Sequence, residues 1–180
     1  MEAMCAAIPA LMILLAGVQT AAPAGSLAFT APEAWKPRPA ASSMRVAEFV
    51  VPKAAGDAED GEAIIYYFGS RGGGGVEANI DRWIGQMKQP DGSPSKDKAV
   101  RDEQTVNGLK VSTVDVSGTY VAEMSPGSTD HYNKPGFRLR AAVVETPRGP
   151  YYIKLTGPSK TVAAAEADFK KLLGTLRVAD

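Results

Sequence analysis

The sequence contains little of what covalent and metal chemistry needs. Its 180 residues include one cysteine and one histidine. The cysteine, Cys5, lies in the first 24 residues, so the chain from Gly25 onward has no thiol for a disulfide, a nucleophile or a metal ligand. With His131 as the single imidazole, a transition-metal site would depend on carboxylates alone. The sequence therefore predicts no metal and no cofactor, and a domain that packing alone stabilises.

Net charge is also lacking, because 20 Lys and Arg balance 20 Asp and Glu. This balance removes the electrostatic footprint expected of a protein that binds nucleic acid or an anionic membrane surface. The sequence therefore predicts no nucleic-acid partner. Hydrophobic residues make up 44% and charged residues 22%, which is typical of an ordinary globular domain.

Long apolar runs are missing too, since the longest, Ala6–Val18, is shorter than the ~20 residues that cross a bilayer. It is followed by Ala22-Pro23-Ala24, an A-x-A cleavage signal. These features predict a secretory signal peptide over residues 1–24 and one domain over residues 25–180, exported by a bacterium to the periplasm or medium. Once the peptide is cleaved, no stable membrane span is expected. The charge near the N-terminus is Glu2 rather than Lys or Arg, which leaves an uncleaved anchor as the alternative.

The apolar pattern predicts a mainly antiparallel sheet. Asn107-Gly108 is a strong signal for a two-residue hairpin, and Pro147–Pro150 predicts a second hairpin. Runs rich in β-branched and aromatic residues predict six longer strands: Met44–Val51, Ala63–Phe68, Val100–Val106, Leu109–Val116, Phe137–Thr146 and Tyr151–Thr156.

Two segments have helical periodicity. Over Val76–Met87 the apolar residues, including Trp83, fall on one stripe of a helix. Over Val162–Leu176 the apolar residues, including Phe169, fall on a similar stripe, which should close the fold. The sequence therefore predicts an α+β domain in which two helices pack on the sheet.

Two local motifs lie near the ends of the predicted domain: Phe29–Trp35 (FTAPEAW), close to the pattern F-x-x-P-x-G-W, and Phe169–Leu176 (FKKLLGTL), at the end of the second predicted helix. They resemble the entry motif and the closing helix of the PsbP-like superfamily, with Ala34 in place of the usual Gly and Thr175 in place of the usual Ser. The resemblance spans roughly residues 27–178. It implies an α/β/α sandwich, of the kind found in small secreted bacterial proteins of unknown function, and it carries no catalytic residue.

A glycine-rich loop precedes the first predicted helix. Backbone amides of Gly72, Gly73, Gly74 and Gly75, together with the helix N-terminus and Arg71, would suit a phosphate or carboxylate. The loop matches neither phosphate-loop nor dinucleotide motifs. An anion-binding module is therefore one hypothesis, and a tight connection that needs positive φ is the alternative.

The polar loop Glu123–Gly136 contains His131 beside Asp130, with Ser125 and Ser128 nearby. These residue types carry out nucleophilic hydrolysis when the imidazole contacts both the nucleophile and a carboxylate. Neighbours in sequence rarely reach that geometry, so a small hydrolase is an alternative rather than the leading hypothesis.

Four further residues share strand parity: Arg138, Arg140, Tyr152 and Lys154. They predict a basic and aromatic patch for a polyanion or glycan. Ala142 and Val144 continue the same face, which indicates as an alternative that a helix covers part of it.

No catalytic constellation assembles from these candidates. The leading hypothesis is therefore a non-enzymatic binding or accessory domain, with an unknown protein or a small anionic ligand as its partner.

Overall fold

The computed structural model describes residues 25–180, and the predicted signal peptide over residues 1–24 lies outside them. The described chain forms ten strands and three α-helices. The strands are β1 (Leu27–Ala28), β2 (Lys36–Pro37), β3 (Arg45–Val51), β4 (Gly61–Tyr67), β5 (Met87–Lys88), β6 (Val100–Val106), β7 (Leu109–Tyr120), β8 (Lys134–Thr146), β9 (Gly149–Pro158) and β10 (Arg177–Val178). The helices are α1 (Val76–Gly85), α2 (Ser159–Ala164) and α3 (Glu166–Gly174).

Eight of these strands form one sheet in which every pairing is antiparallel. Its order is β2-β3-β4-β9-β8-β7-β5, and β6 also pairs with β7. Since β7 is 12 residues long, β6 pairs with its first part and β5 with its last two residues. The two remaining strands, β1 and β10, pair with each other and bring the ends of the described chain together.

The hairpin between β6 and β7 is confirmed as the sequence predicts it. Asn107 has φ 49° and Gly108 has φ 81°, both in the left-handed region. Positive φ at both turn residues is characteristic of the type I′ turn, whose twist matches that of the flanking strands. Val106 therefore pairs directly with Leu109.

The sheet buries apolar side chains on both faces. On one, called the α3 face, Val111, Ala142, Ile153 and Leu155 pack with residues of α2 and α3 such as Val162, Phe169 and Leu172. On the other, called the α1 face, Val114, Leu139, Ala141 and Tyr152 pack with Ile80 and Trp83 of α1. Alternation of side chains along each strand separates these two clusters.

The predicted α+β domain in the form of an α/β/α sandwich is wrong. The structure is β-rich, with ten strands, three short helices and about 18% helical residues. The predicted helices extend too far at their C-terminal ends, because α1 stops at Gly85, with Met87 in β5, and α3 stops at Gly174. The C-terminal helix also begins earlier than predicted, at Ser159, and is broken at Ala165 into helices of six and nine residues. Such short helices cover patches of the sheet rather than forming complete layers.

Within residues 25–180, no helix is both long and apolar enough to cross a membrane.

On the α1 face of the sheet, the helix α1 packs against β7 and β8. On the same face, Glu48 of β3 and Glu62 of β4 belong to neither apolar cluster, so this half of the α1 face carries charged side chains.

Candidate functional site

The four residues predicted to share a basic and aromatic patch lie on opposite faces of the sheet. Pairing between β8 and β9 sets Arg140 opposite Leu155 and Lys154 opposite Ala141. Arg138 and Arg140 therefore point to the α3 face, whereas Tyr152 and Lys154 share the α1 face. The prediction of one patch is wrong because it assigned the correct parity to each strand separately but the wrong register between the two strands.

Arg138 and Arg140 are engaged in an ion-pair network that attaches α3 to the sheet. Arg138 donates two hydrogen bonds to Asp115, of 2.7 Å from Nε and 2.5 Å from Nη2. Arg140 lies 3.1 Å from Asp115 and 3.2 Å from Glu166, and its guanidinium lies over the Phe169 ring at 5.5 Å. This geometry accounts for both arginines as parts of the packing between β7, β8 and α3.

The glycine loop is held by side chains that donate to its carbonyl groups. The Tyr152 hydroxyl donates to Gly74 O at 2.7 Å, and buried Asn79 donates to Gly73 O and Gly75 O at 2.6 and 2.9 Å. Arg71 is exposed beside them. These contacts give the loop a structural role, and anion binding at residues 71–75 stays a prediction.

Gly73→Ala is expected to lower the free energy of unfolding by about 2–4 kcal/mol, because it combines backbone strain with overpacking. Gly73 has φ 84°, and a Cβ there would lie 2.5 Å from the Tyr152 ring. Gly85→Ala is the matched control, since its Cβ would meet nothing within 4 Å and the position is helical. It should stabilise by about 0.5–1 kcal/mol. Urea unfolding of both variants tests this, and equal stabilities would contradict the packing role of Gly73.

His131 is not part of a catalytic triad in the described residues. Its Nδ1 donates to the backbone carbonyl of Val121 at 2.9 Å. Ser128 Oγ accepts from the Asp130 amide at 3.0 Å, and Glu123 accepts from the Gly127 amide at 2.8 Å. The polar groups of this loop therefore stabilise its own turns. His131 lines an open groove of about 720 Å³ beside the end of α1.

Lys154 occupies a different setting, between the apolar and the charged halves of the α1 face. It lies in one row of paired residues with Glu48, Ile64, Ala141 and Val114. Its side chain is half-buried. Its amine donates to Gln86 Oε1 at 2.7 Å and to the Tyr120 hydroxyl at 2.9 Å, and lies 4.9 Å from the centre of the Tyr120 ring.

These surroundings change the acidity of the amine. Burial lowers the pKa of Lys154 to about 7, an effect that the positive charges of Arg82 and Arg45 reinforce and the attraction of Glu62 only partly offsets. Burial also raises the pKa of the Tyr120 hydroxyl, which therefore stays protonated near neutral pH. An amine that titrates near pH 7 can act as a donor, a base or a nucleophile.

Charged side chains of β3 and β4 lie on the same face of the sheet as Lys154. Glu48 is buried and accepts hydrogen bonds from Arg45, at 2.7 Å, and from Arg38, which also pairs with Glu62. Burial alone would raise the pKa of Glu48, but hydrogen bonds from Arg45, the Ala41 amide and Arg38 hold it below its usual value. Glu48 therefore stays ionised at neutral pH.

We name this region the Lys154 surface and define it by six side chains. They are Arg45 and Glu48 of β3, Glu62 and Tyr66 of β4, Lys154 of β9, and Tyr120 at the end of β7, whose hydroxyl accepts from Lys154. Sequence reasoning singled out Lys154 but missed the others. The sequence did contain a signal for such residues, namely a charged residue among apolar ones, as in the strand segments RVAEFVV and YYIKL. Burying a charge costs free energy unless the charge is paired or hydrogen-bonded, so these positions indicate a polar site. Within residues 25–180, no three His, Cys, Asp or Glu side chains are close enough together to hold a metal ion.

Comparisons with known proteins assign no family. No protein-family model matches the chain, and no curated protein matches it. Among solved structures, the chain is similar to the crystal structure of PA94, a protein of unknown function from Pseudomonas aeruginosa. The two are 14% identical with a TM-score of 0.48, and the match covers 74% of this chain and 82% of that chain.

Proposed function

We propose that this chain is an exported, non-enzymatic binding domain that holds a small anionic ligand at the Lys154 surface. The export rests on the signal-peptide pattern of residues 1–24. The binding role rests on the Lys154 surface, where Arg45 is paired with Glu48 and the Lys154 amine lies against the Tyr120 ring without an ion pair of its own in the described residues. Aromatic rings with a few convergent charged groups are typical of ligand sites.

One observation carries the proposal: among residues 25–180, the Lys154 amine has two neutral hydrogen-bond partners, Gln86 and Tyr120, and forms no ion pair. Lys110, Lys134 and Lys170 form ion pairs, and the other lysines of the described chain are exposed, whereas Lys154 is partly buried and forms no ion pair. When protonated, the amine has a third N–H group, which can donate a hydrogen bond to an anion. Binding a carboxylate or phosphate there would add to the partial attraction of Glu62 and favour the protonated amine.

The hydrolase alternative has less support. His131 would need a serine and a carboxylate within hydrogen-bond reach, and its Nδ1 is already bound to a backbone carbonyl. No observation on the Glu123–Gly136 loop favours turnover over local turn stabilisation.

Titration with sodium acetate and sodium phosphate tests the binding site at constant ionic strength. In ¹H–¹⁵N spectra at pH 6.5, we expect saturable shifts at the amides of Gln86, Tyr120 and Lys154. Lys154→Met should abolish them, because it removes the charge that attracts the anion while keeping an apolar side chain of similar length. Lys170→Met is the matched control, since Lys170 is exposed on α3, and it should leave the shifts unchanged. Shifts confined to Arg71–Gly75 would favour the anion-binding loop instead and overturn the proposal.

Hydrolysis of 4-nitrophenyl acetate separates the two classes of function. A binding domain should show the same rate in the wild type and in His131→Ala. A loss of ~100-fold or more in the variant, the lower end of what a general base contributes, would make the hydrolase the better account of the protein.

A further inference from the structure

We propose that a groove at the end of α1 binds a small amphipathic anion, a carboxylate or phosphate head joined to an alkyl chain. The groove has a volume of about 520 Å³ and is lined by the end of α1, by β5 and by the loop that follows β5. We call it the Met87 groove, after the buried methionine that lines it. It shares no residue with the Lys154 surface, so this inference goes beyond the proposed function and can be tested separately.

Part of the lining of the Met87 groove is apolar. Ile84 and Met87 belong to the buried cluster of the α1 face, and both line the groove together with Pro94. Gly85 and Gly92 line it without a side chain, and a Cβ at either position would meet nothing within 4 Å. An alkyl chain in this space would leave water, and each methylene that does so strengthens binding roughly fourfold.

Hydrogen bonds hold the loop that forms one wall of the groove. Gln89 Nε2 donates to Ser95 Oγ at 3.0 Å and to the backbone oxygen of Ser117, in β7, at 2.8 Å. The Ser95 hydroxyl in turn donates to the backbone oxygen of Met87, in β5, at 2.7 Å. These contacts attach the loop to two strands of the sheet. A ligand therefore meets a preformed groove and does not have to order the loop as it binds.

The charged side chains of the Met87 groove favour an anion. Lys88 and Lys96 both line the groove and are exposed to solvent, and among residues 25–180 neither forms an ion pair. Of the described residues that line the groove, Asp81 alone carries a carboxylate, and Arg101 neutralises it through an ion pair of 2.5 Å. Two positive charges without a counter-charge therefore lie beside an apolar lining. This combination suits an anionic head with an apolar tail.

Titration of the full-length protein with sodium octanoate tests the proposal. In ¹H–¹⁵N spectra at pH 7.0 and constant ionic strength, we expect saturable shifts at the amides of Met87, Gln89 and Ser95. Sodium acetate has the same head without the tail, and it should need a concentration ~10-fold or more higher to half-saturate these shifts, since about two buried methylenes supply that factor. Octylammonium chloride has the same tail with the opposite charge. It should bind ~5-fold or more weakly than octanoate, because the two exposed lysines attract one head group and repel the other.

Charge reversal at the groove isolates the role of the two lysines. The double variant Lys88→Glu/Lys96→Glu should bind octylammonium at least as tightly as octanoate, which reverses the preference of the wild type. Lys36→Glu/Lys171→Glu is the matched control, because it changes the net charge by the same amount at two exposed lysines outside the groove, on β2 and α3. The control should keep the wild-type preference. All four lysines are exposed, so neither double variant should disturb the fold.

Three results on the wild type would overturn the proposal. If acetate and octanoate shift the groove amides at the same concentrations, the apolar lining takes no part in binding. If octanoate and octylammonium bind equally well, the lysines select no charge. If sedimentation shows a dimer that dissociates as octanoate is added, a second copy of the chain occupies the groove instead. The acetate shifts expected at Tyr120 and Lys154 do not depend on the Met87 groove, so failure of one site leaves the other standing.

Discussion

Replacing Trp83 by alanine is expected to lower the free energy of unfolding by about 3–5 kcal/mol, the range for large buried aromatic residues. Trp83 is 3% exposed and is the largest side chain that α1 buries. Its ring packs edge-on against Tyr152, which also holds the glycine loop before the helix. The truncation therefore leaves a cavity between α1 and the sheet and loosens the residues on both sides of it.

Chemical denaturation followed by circular dichroism measures this loss. Val100→Ala is the matched control, because Val100 is an apolar residue that is 67% exposed and its truncation should change stability by less than about 0.5 kcal/mol. A loss below ~1 kcal/mol for Trp83→Ala would mean that the indole is not buried under α1. The arrangement of the α1 face would then be wrong.

Elements that depend on a few neighbouring residues could be predicted from the sequence. The turn at Asn107-Gly108 needs only two residues with positive φ, and the structure has the predicted strand β6, with the same bounds, and the hairpin. The break in the C-terminal helix was not predictable from periodicity. Ala165 closes α2 and opens α3 with φ −83° and ψ 2°, and alanine is the best helix former. Packing of two short helices on the sheet overrides that preference.

The candidate site depended on register between strands, which parity within a strand does not determine. The hairpin between β8 and β9 has a two-residue loop, so Thr146 pairs with Gly149 and each even-numbered residue of β8 faces an odd-numbered residue of β9. Arg140 and Lys154, both even, therefore point to opposite faces. The partners of Lys154 come from α1 and β7, 68 and 34 residues away in the chain. No sequence spacing indicates such contacts.

The free energy of unfolding should depend on pH because of Lys154, and the lowered pKa of its amine determines whether stability rises or falls with pH. The folded pKa of about 7 lies below the ordinary value near 10.4, so between these values the unfolded chain binds one proton more than the folded chain. Stability therefore rises with pH over this window, and below pH 7 the protonated amine imposes its full cost. Lys154→Met removes this contribution. We expect the variant to gain about 2–4 kcal/mol relative to the wild type when the pH falls from 10 to 6.5.

Comparing the two proteins at both pH values isolates this effect. The unpaired Gln86 and Tyr120 groups left by methionine cost the same at each pH, and other titrating groups cancel between the proteins. Lys110→Met is the matched control, because a hydrogen bond from Lys110 to Glu103 raises the pKa of that exposed amine. Because that pKa is raised, the contribution of Lys110 to stability is present below the unfolded-state pKa near 10.4 and is lost only above it. Lys110→Met should therefore show no gain in stability over the wild type when the pH falls from 10 to 6.5. If the free energies of unfolding of Lys154→Met and the wild type differ by the same amount at pH 6.5 and pH 10, Lys154 keeps an ordinary pKa. The amine would then be protonated at neutral pH and still able to bind an anion.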